Sequence, residues 1–167
     1  ALGGDADDGV CVAVDDNYLC VLFHADNIGG SSEQIRVNMS SNLGSTFTGD
    51  FQVGEYDNVI LNHDVDDGCL VIEDGKVAVA WRDDRAGYDE IYCAIADFAT
   101  GLFASDHICS SSALGVGAPH IAGEFDGEPL AISWSQGAVG TYQSCYLVNG
   151  IWSNPFVVSN NSGDVYD

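Results

Sequence analysis

A chain of 167 residues is long enough to bury a substantial core, and its 46% hydrophobic content is that of a globular domain, not a disordered one. Twenty-six acidic residues against four basic ones, Arg36, Lys76, Arg82 and Arg85, give a formal charge of -22. Such a surface repels nucleic acid and anionic membranes, which are bound through clustered Lys and Arg, and no apolar run approaches the ~18 residues that insert into a bilayer.

The start, Ala1-Leu2-Gly3-Gly4-Asp5, has no Met, basic region or apolar segment, as expected of a mature N-terminus left after processing or of the edge of a fragment. From there on, apolar residues nowhere keep helical spacing for three turns. Short Val/Ile/Tyr/Phe/Cys runs, separated by Gly, Asp, Asn and Ser, predict strands at 10–14, 19–24, 34–39, 69–72, 77–82, 90–95, 131–134 and 143–148. Asp74-Gly75 and Asp126-Gly127 are dipeptides that close two-residue hairpins.

The strands recur in sets. Asp5-Ala6-Asp7-Asp8-Gly9-Val10-Cys11-Val12 returns as Asp64-Val65-Asp66-Asp67-Gly68-Cys69-Leu70-Val71. Leu19-Cys20-Val21-Leu22-Phe23 matches Val77-Ala78-Val79-Ala80-Trp81, and both match Leu130-Ala131-Ile132-Ser133-Trp134. A further strand follows each, at Ile35-Arg36-Val37-Asn38, Ile91-Tyr92-Cys93-Ala94 and Gln143-Ser144-Cys145-Tyr146. Approximate repeats therefore run over 5–63, 64–117 and 118–161, and 162–167 starts an incomplete fourth. A period of about 50–60 residues is that of a four-stranded propeller blade. The expected fold is a single all-β domain over 1–167, built from about three four-stranded antiparallel propeller-like blades, with a β-sandwich of the same strands as the alternative.

Six cysteines without C-x-x-C spacing argue against a zinc ribbon or a thioredoxin-type site. Their even number in a Lys-poor, secreted-looking chain favours disulfides, the alternative being buried free thiols. Cys11 and Cys20 flank the turn Asp15-Asp16-Asn17, are expected nearly opposite each other, and are the disulfide candidates.

Two motifs carry a family resemblance. Trp81-Arg82-Asp83-Asp84-Arg85-Ala86-Gly87-Tyr88-Asp89-Glu90-Ile91-Tyr92 resembles the W-x-D-x-R-x-G-x-x-D-I-Y blade motif of secreted propellers related to sialidases. Ser40-Ser41-Asn42-Leu43-Gly44-Ser45-Thr46-Phe47 resembles their Asp-box, S-x-D-x-G-x-T-W, with Asn for the Asp and Phe for the Trp. The resemblance implies six blades, which two copies of this chain would supply. It also implies that the Asp-box is structural, its polar side chains capping a turn and its aromatic packing between sheets.

The acidic loops are the metal candidates. Asp5, Asp7 and Asp8, and likewise Asp64, Asp66 and Asp67, crowd three carboxylates beside a glycine, and Ca²⁺ takes 6–8 such oxygens; a solvated acidic turn is the alternative. Trp81, Trp134, Asp83 and Asp89 are the ligand-binding candidates, since aromatics and acids at blade positions can line a sugar pocket; core packing for the tryptophans and internal ion pairing with Arg82 and Arg85 for the acids are the alternatives. No catalytic residue stands out. Sialidase chemistry as implied by the resemblance needs three converging arginines, and of Arg36, Arg82 and Arg85 the last two share one loop. There is no G-x-S-x-G elbow and no phosphate-binding glycine loop.

The functional expectation is a secreted, non-catalytic extracellular binding or self-assembly module, stabilised by calcium if the Asp loops hold it, whose partners are copies of itself or the rest of a larger propeller. A lectin-like glycan-binding protein and a fragment of a sialidase-like glycosidase propeller are the alternatives.

Overall fold

The computed structural model describes residues 10–25, 33–54, 65–110, 115–125, 129–137 and 141–160, the side chains of Asp66 and Asn160 excepted. Among these there is no helix, and the strands form three antiparallel sheets. Sheet 1 has β1 (Cys11–Asp15), β2 (Tyr18–Ala25), β3 (Gln34–Ser40) and β4 (Asp50–Gln52), side by side in chain order. Sheet 2 repeats the arrangement with β5 (Val65–Glu73), β6 (Lys76–Asp83), β7 (Glu90–Asp97) and β8 (His107–Ile108). Sheet 3 holds β9 (His120–Ala122), β10 (Leu130–Gln136) and β11 (Thr141–Val148), and both β12 (Ile151–Trp152) and β13 (Phe156–Asn160) pair with β11.

All eight strands expected from alternation are present. The other five, β4, β8, β9, β12 and β13, have two to five residues each, too few to show a period. Asp74 (φ 48°) and Gly75 (φ 70°) close the β5–β6 hairpin as a two-residue turn with both residues in the left-handed region. Asp126-Gly127 lies outside the described residues.

Side-chain parity shows how the sheets stack. On β6, Val77, Val79 and Trp81 join a core with Cys20, Leu22, Ile35, Val37 and Met39 of sheet 1. From the opposite face, Ala80 with Ile91 and Cys93 of β7 joins Ile132, Trp134 and Cys145 of sheet 3. Sheet 2 is therefore packed on both faces, and β6 and β7 read as near-continuous apolar runs for that reason. Sheets 1 and 3 each keep one face turned away from it. Acidic side chains at the junctions accept main-chain N–H groups across sheets. Asp15 takes that of Asp74 at 3.0 Å, and Glu73 that of Phe125 at 2.6 Å.

The Asp-Asp-Gly segment of the second repeat has a clear backbone task. Along β5 the register passes from Asp66↔Arg82 to Cys69↔Ala80, so one extra residue makes a β-bulge, with Asp67 at φ 53°. Gly68 then faces sheet 1 so closely that a Cβ would lie 2.7 Å from Leu22 Cδ2. A side chain there would hold the two sheets apart.

Candidate functional site

The charged loop after β6 folds back into the protein. Asp83, with no exposed surface, accepts the Trp81 indole N–H at 3.3 Å and the Arg85 main-chain N–H at 2.8 Å. Arg85 Nε donates to Asp83 Oδ2 at 2.7 Å, Nη2 donates to the same oxygen, and Nη1 reaches Asp106 Oδ2 at 2.7 Å. The guanidinium carbon stands 4.3 Å from the Tyr92 ring centroid, the Tyr92 ring stacks on Trp81 at 6.0 Å, and the Tyr92 hydroxyl donates to Glu90 at 3.1 Å. Burial works against the Arg85 charge, but the hydrogen bonds and charges of Asp83 and Asp106 outweigh it and hold its pKa above the ordinary guanidinium value. Burial, helped by the Glu90 charge, pushes the Tyr92 phenol well above its usual range. Gly54 (φ 85°) lets the chain cross this cluster, since a Cβ there would lie 2.9 Å from Trp81.

The other cations are engaged as well. Arg36, buried on β3, donates to Asp50 at 2.5 Å and to Gln34 at 2.9 Å. Arg82 pairs with Asp67 at 3.2 Å, and the Lys76 ammonium lies 5.7 Å from the Phe125 ring centroid. Each arginine thus meets a carboxylate of its own chain, and the three do not converge on one another.

The segment 40–48 forms a turn held by its own side chains. Ser40 Oγ accepts the Gly44 N–H at 2.8 Å, Asn42 Oδ1 accepts the Thr46 N–H at 2.8 Å, and Asn42 Nδ2 donates to Thr46 Oγ1 at 2.8 Å. Leu43 and Gly44 take the left-handed conformations that such a turn requires. Phe47 is 46% exposed instead of packed between sheets, as the resemblance implies for that position.

Sheet 3 carries a cavity of about 260 Å³ lined by Gly117, His120, Ser133, Trp134, Ser135 and Tyr142. His120 is opposite Ser133 and Tyr142 opposite Ser135 in the register, so the polar lining lies on the face turned away from sheet 2. On the inward face, the Trp134 indole N–H and both amide atoms of Gln136 are buried without a hydrogen-bond partner.

The expected site residues are not brought into one place. Trp81 and Asp83 belong to the network between sheets 1 and 2, Trp134 is buried against the opposite face of sheet 2, and Asp89 is half-buried in the loop before β7. Of the metal candidates, Asp5, Asp7, Asp8 and Asp64 lie outside the described residues, as does the Asp66 side chain. Asp67 is paired with Arg82, a poor fit to a Ca²⁺ ligand, and among the described residues no three His, Cys, Asp or Glu side chains are placed to hold a metal ion.

All six cysteines are free thiols, so the expected Cys11–Cys20 bridge is not present. The turn accounts for this: Asp15 pairs directly with Tyr18, which sets Cys11 opposite Leu22 and Cys20 opposite Ala13. The two are then diagonal neighbours. Burial, with the nearby Cys11, pushes the Cys20 thiol up to about 12, and burial does the same to Cys69. The contact that spacing did not indicate is between Cys109 and Cys145. Cys109 and Cys145 share the core between sheets 2 and 3, where each shifts the other, the pKa of the first up and that of the second down, and the Cys109 thiol donates to the His107 carbonyl at 3.9 Å. Cys145 shares its repeat position with Cys93, a hint that both face inward, but nothing near Cys109 in sequence marks it as a partner.

No protein-family model matches the chain, and a comparison with curated proteins finds no significant similarity.

Proposed function

We propose that the protein is a non-catalytic extracellular binding and self-assembly module, its three sheets acting as propeller-like blades that a second copy completes. The carrying observation is the outer face of sheet 1. Val10, Val12 and Val14 alternate toward solvent at 65%, 55% and 59% exposure, and Leu19 and Val21 stand opposite Val14 and Val12 on β2. A contiguous β-branched surface of this kind favours burial by roughly 25 cal/mol per Å² of apolar area. The outer face of sheet 3 offers Ala131, Tyr146 and Phe156, the two rings 5.9 Å apart. Sheet 1 of one copy on sheet 3 of the next, closed by two-fold symmetry, gives six blades; the same contact without closure gives a filament. The arginine pairing supports a non-catalytic role, because each guanidinium that would bind a substrate carboxylate already holds a carboxylate of the chain.

Native mass by light scattering tests this. The expected value is twice 17.6 kDa, reduced to a monomer by Val12→Asp with Val14→Asp. A monomeric unsubstituted protein would sink the assembly reading. Repeating the measurement in EDTA tests the Asp loops, since loss of the dimer there would assign them to Ca²⁺.

The sheet 3 cavity supports a second reading, a lectin-like glycan site. Serine hydroxyls, an imidazole and a phenol suit sugar hydroxyls. An array of glycans probed with the protein and with Tyr142→Ala decides it, and no signal on any glycan would rule it out.

A further inference from the structure

On the glycan reading of the sheet 3 cavity, which this inference requires, we propose that its ligand is a single neutral sugar residue, held without Ca²⁺ and without an arginine or lysine. Charge is missing from this part of the chain. Although 26 of the residues are acidic, no Asp, Glu, Lys or Arg occurs from 129 to 163, the stretch that makes β10, β11, β12 and β13. The segment 107–123, which brings Gly117 and His120 to the cavity, has none either. The four cations are engaged elsewhere: Arg36 with Asp50 in sheet 1, Arg82 with Asp67 and Arg85 with Asp83 in sheet 2, and Lys76 beside the Phe125 ring. A carboxylate or sulfate on the sugar would therefore lose water and find no charge to pair with. No carboxylate lines the cavity, so nothing there supplies the acidic oxygens that Ca²⁺ takes.

What the cavity does offer suits sugar hydroxyls. His120, Ser133 and Ser144 stand in one row across β9, β10 and β11, with Ser135 and Tyr142 in the next row on the same face. Ser133 Oγ donates to Ser144 Oγ at 3.2 Å, which leaves its own oxygen to accept from a ligand. The His120 imidazole, the Ser135 hydroxyl and the Tyr142 phenol make no hydrogen bond among the described residues. Gly117 keeps room for the Ser135 hydroxyl, since a Cβ there would lie 2.3 Å from its oxygen. The half-buried Tyr142 also presents an apolar ring, on which the C–H face of a sugar can lie. A volume of about 260 Å³ is just under the roughly 300–1,000 Å³ of pockets for drug-sized molecules, room for one ring and not for a chain. Tyr146, which serves the assembly contact, lies opposite Ala131 at the other end of β11.

The test is an array of immobilised glycans probed with the labelled full chain at about pH 8, where an imidazole carries no charge. The glycans come in pairs on the same core. One of each pair ends in a neutral hexose, deoxyhexose or N-acetylhexosamine, and the other has that end capped by sialic acid, glucuronic acid or sulfate. In about 1 M salt charges are screened beyond ~3 Å, so the net charge of the protein no longer repels the acidic glycans and the comparison reads the cavity itself. Expected is a signal on some neutral ends that is roughly tenfold or more weaker on their capped partners, because an unpaired charge costs more than a hydrogen bond returns. That signal should be unchanged in EDTA and competed by the free neutral monosaccharide. Ser135→Ala and Tyr142→Phe each remove one hydroxyl from the outward face and should weaken binding roughly 2–10-fold. An equal or stronger signal on the acidic partners, or its loss in EDTA, overturns the neutral, Ca²⁺-free assignment and leaves the glycan reading standing. Binding that neither substitution weakens overturns the assignment to this cavity. Silence on every glycan overturns the glycan reading and this inference with it.

Discussion

Sheets 2 and 3 place a tryptophan at the same point of the second repeat strand and support it differently. Trp81 is followed two residues later by Asp83, which takes its indole N–H and is itself clasped by Arg85. Trp134 is followed by Gln136, and neither the indole N–H nor the amide has a partner. Buried polar atoms cost about 1–3 kcal/mol each when left unpaired, so the same apolar strand is anchored by a closed polar network in one sheet and burdened by an open one in the other. Sheet 2 is the centre of the stack, with a neighbour on each face. Sheet 3 attaches through a smaller core rich in thiols.

The largest test of that difference removes each network in turn. Asp83→Asn leaves a buried guanidinium with Asp106 alone, and should cost about 3–5 kcal/mol in urea unfolding. Gln136→Leu, at the corresponding place in sheet 3, removes unpartnered atoms and should be neutral or stabilising by about 1 kcal/mol. Equal losses from the two substitutions would show that the Arg85 network contributes nothing beyond packing.

A smaller effect is expected at the contact between sheets 1 and 2. Gly68→Ala forces a Cβ toward Leu22, and overpacking of this kind costs about 1–3 kcal/mol. With Leu22→Ala in the same chain the two losses should add to less than their sum, because that substitution, costly in itself, removes the atom that the new Cβ meets. Additive losses in the double variant would mean that the glycine serves the bulge and not the approach of the sheets.

The strands were legible in the sequence because Val, Ile and aromatic residues alternate between Gly and Asp punctuation. The partnerships between strands were not. Trp81 through Arg85 reads as a charged surface loop, and the Asp83–Arg85 pairing is visible because the two residues are two apart. Asp106, which completes the clasp, comes from 21 residues further on and carries no local signal. Cys11 and Cys20 looked opposed because the turn was read as three residues. Two-residue closure shifted the register and left them diagonal. Cys109 met Cys145 only through the stacking of sheets, which no periodicity within one strand encodes.

Alkaline pH sharpens the contrast from the thiol side. Cys20 and Cys69 ionise near their ordinary value of 9.0 in the unfolded chain and only at about 12 in the folded one. Their contribution is whole below about pH 9 and is lost as pH rises toward 12, because the unfolded state then gives up protons that the folded state keeps. The slope is at most about 1.4 kcal/mol per pH unit for each thiol. Urea midpoints taken between pH 8 and 10 should fall, and Cys20→Ala should flatten the fall. A midpoint flat over that range would mean that these thiols are reached by solvent.

The smallest expected effect lies at the edge of sheet 3. The His107 imidazole stacks on Trp152 with centroids 4.5 Å apart and planes at 6°, joining β8 to β12, and burial lowers its pKa from the ordinary 6.5. A depressed pKa means that the unfolded chain takes up the proton first. The contribution is therefore present above about pH 6.5 and is lost as pH falls through the folded value. Carboxylates paired with arginine respond to acid too, so the measurement is the difference between the protein and His107→Gln. That difference should shrink between pH 7 and pH 5, and amide exchange should quicken in β11 and β12 before β2 and β3. Acid exchange that begins in sheet 1 would reverse the ranking of the two interfaces, because it would make the large apolar core the weaker attachment.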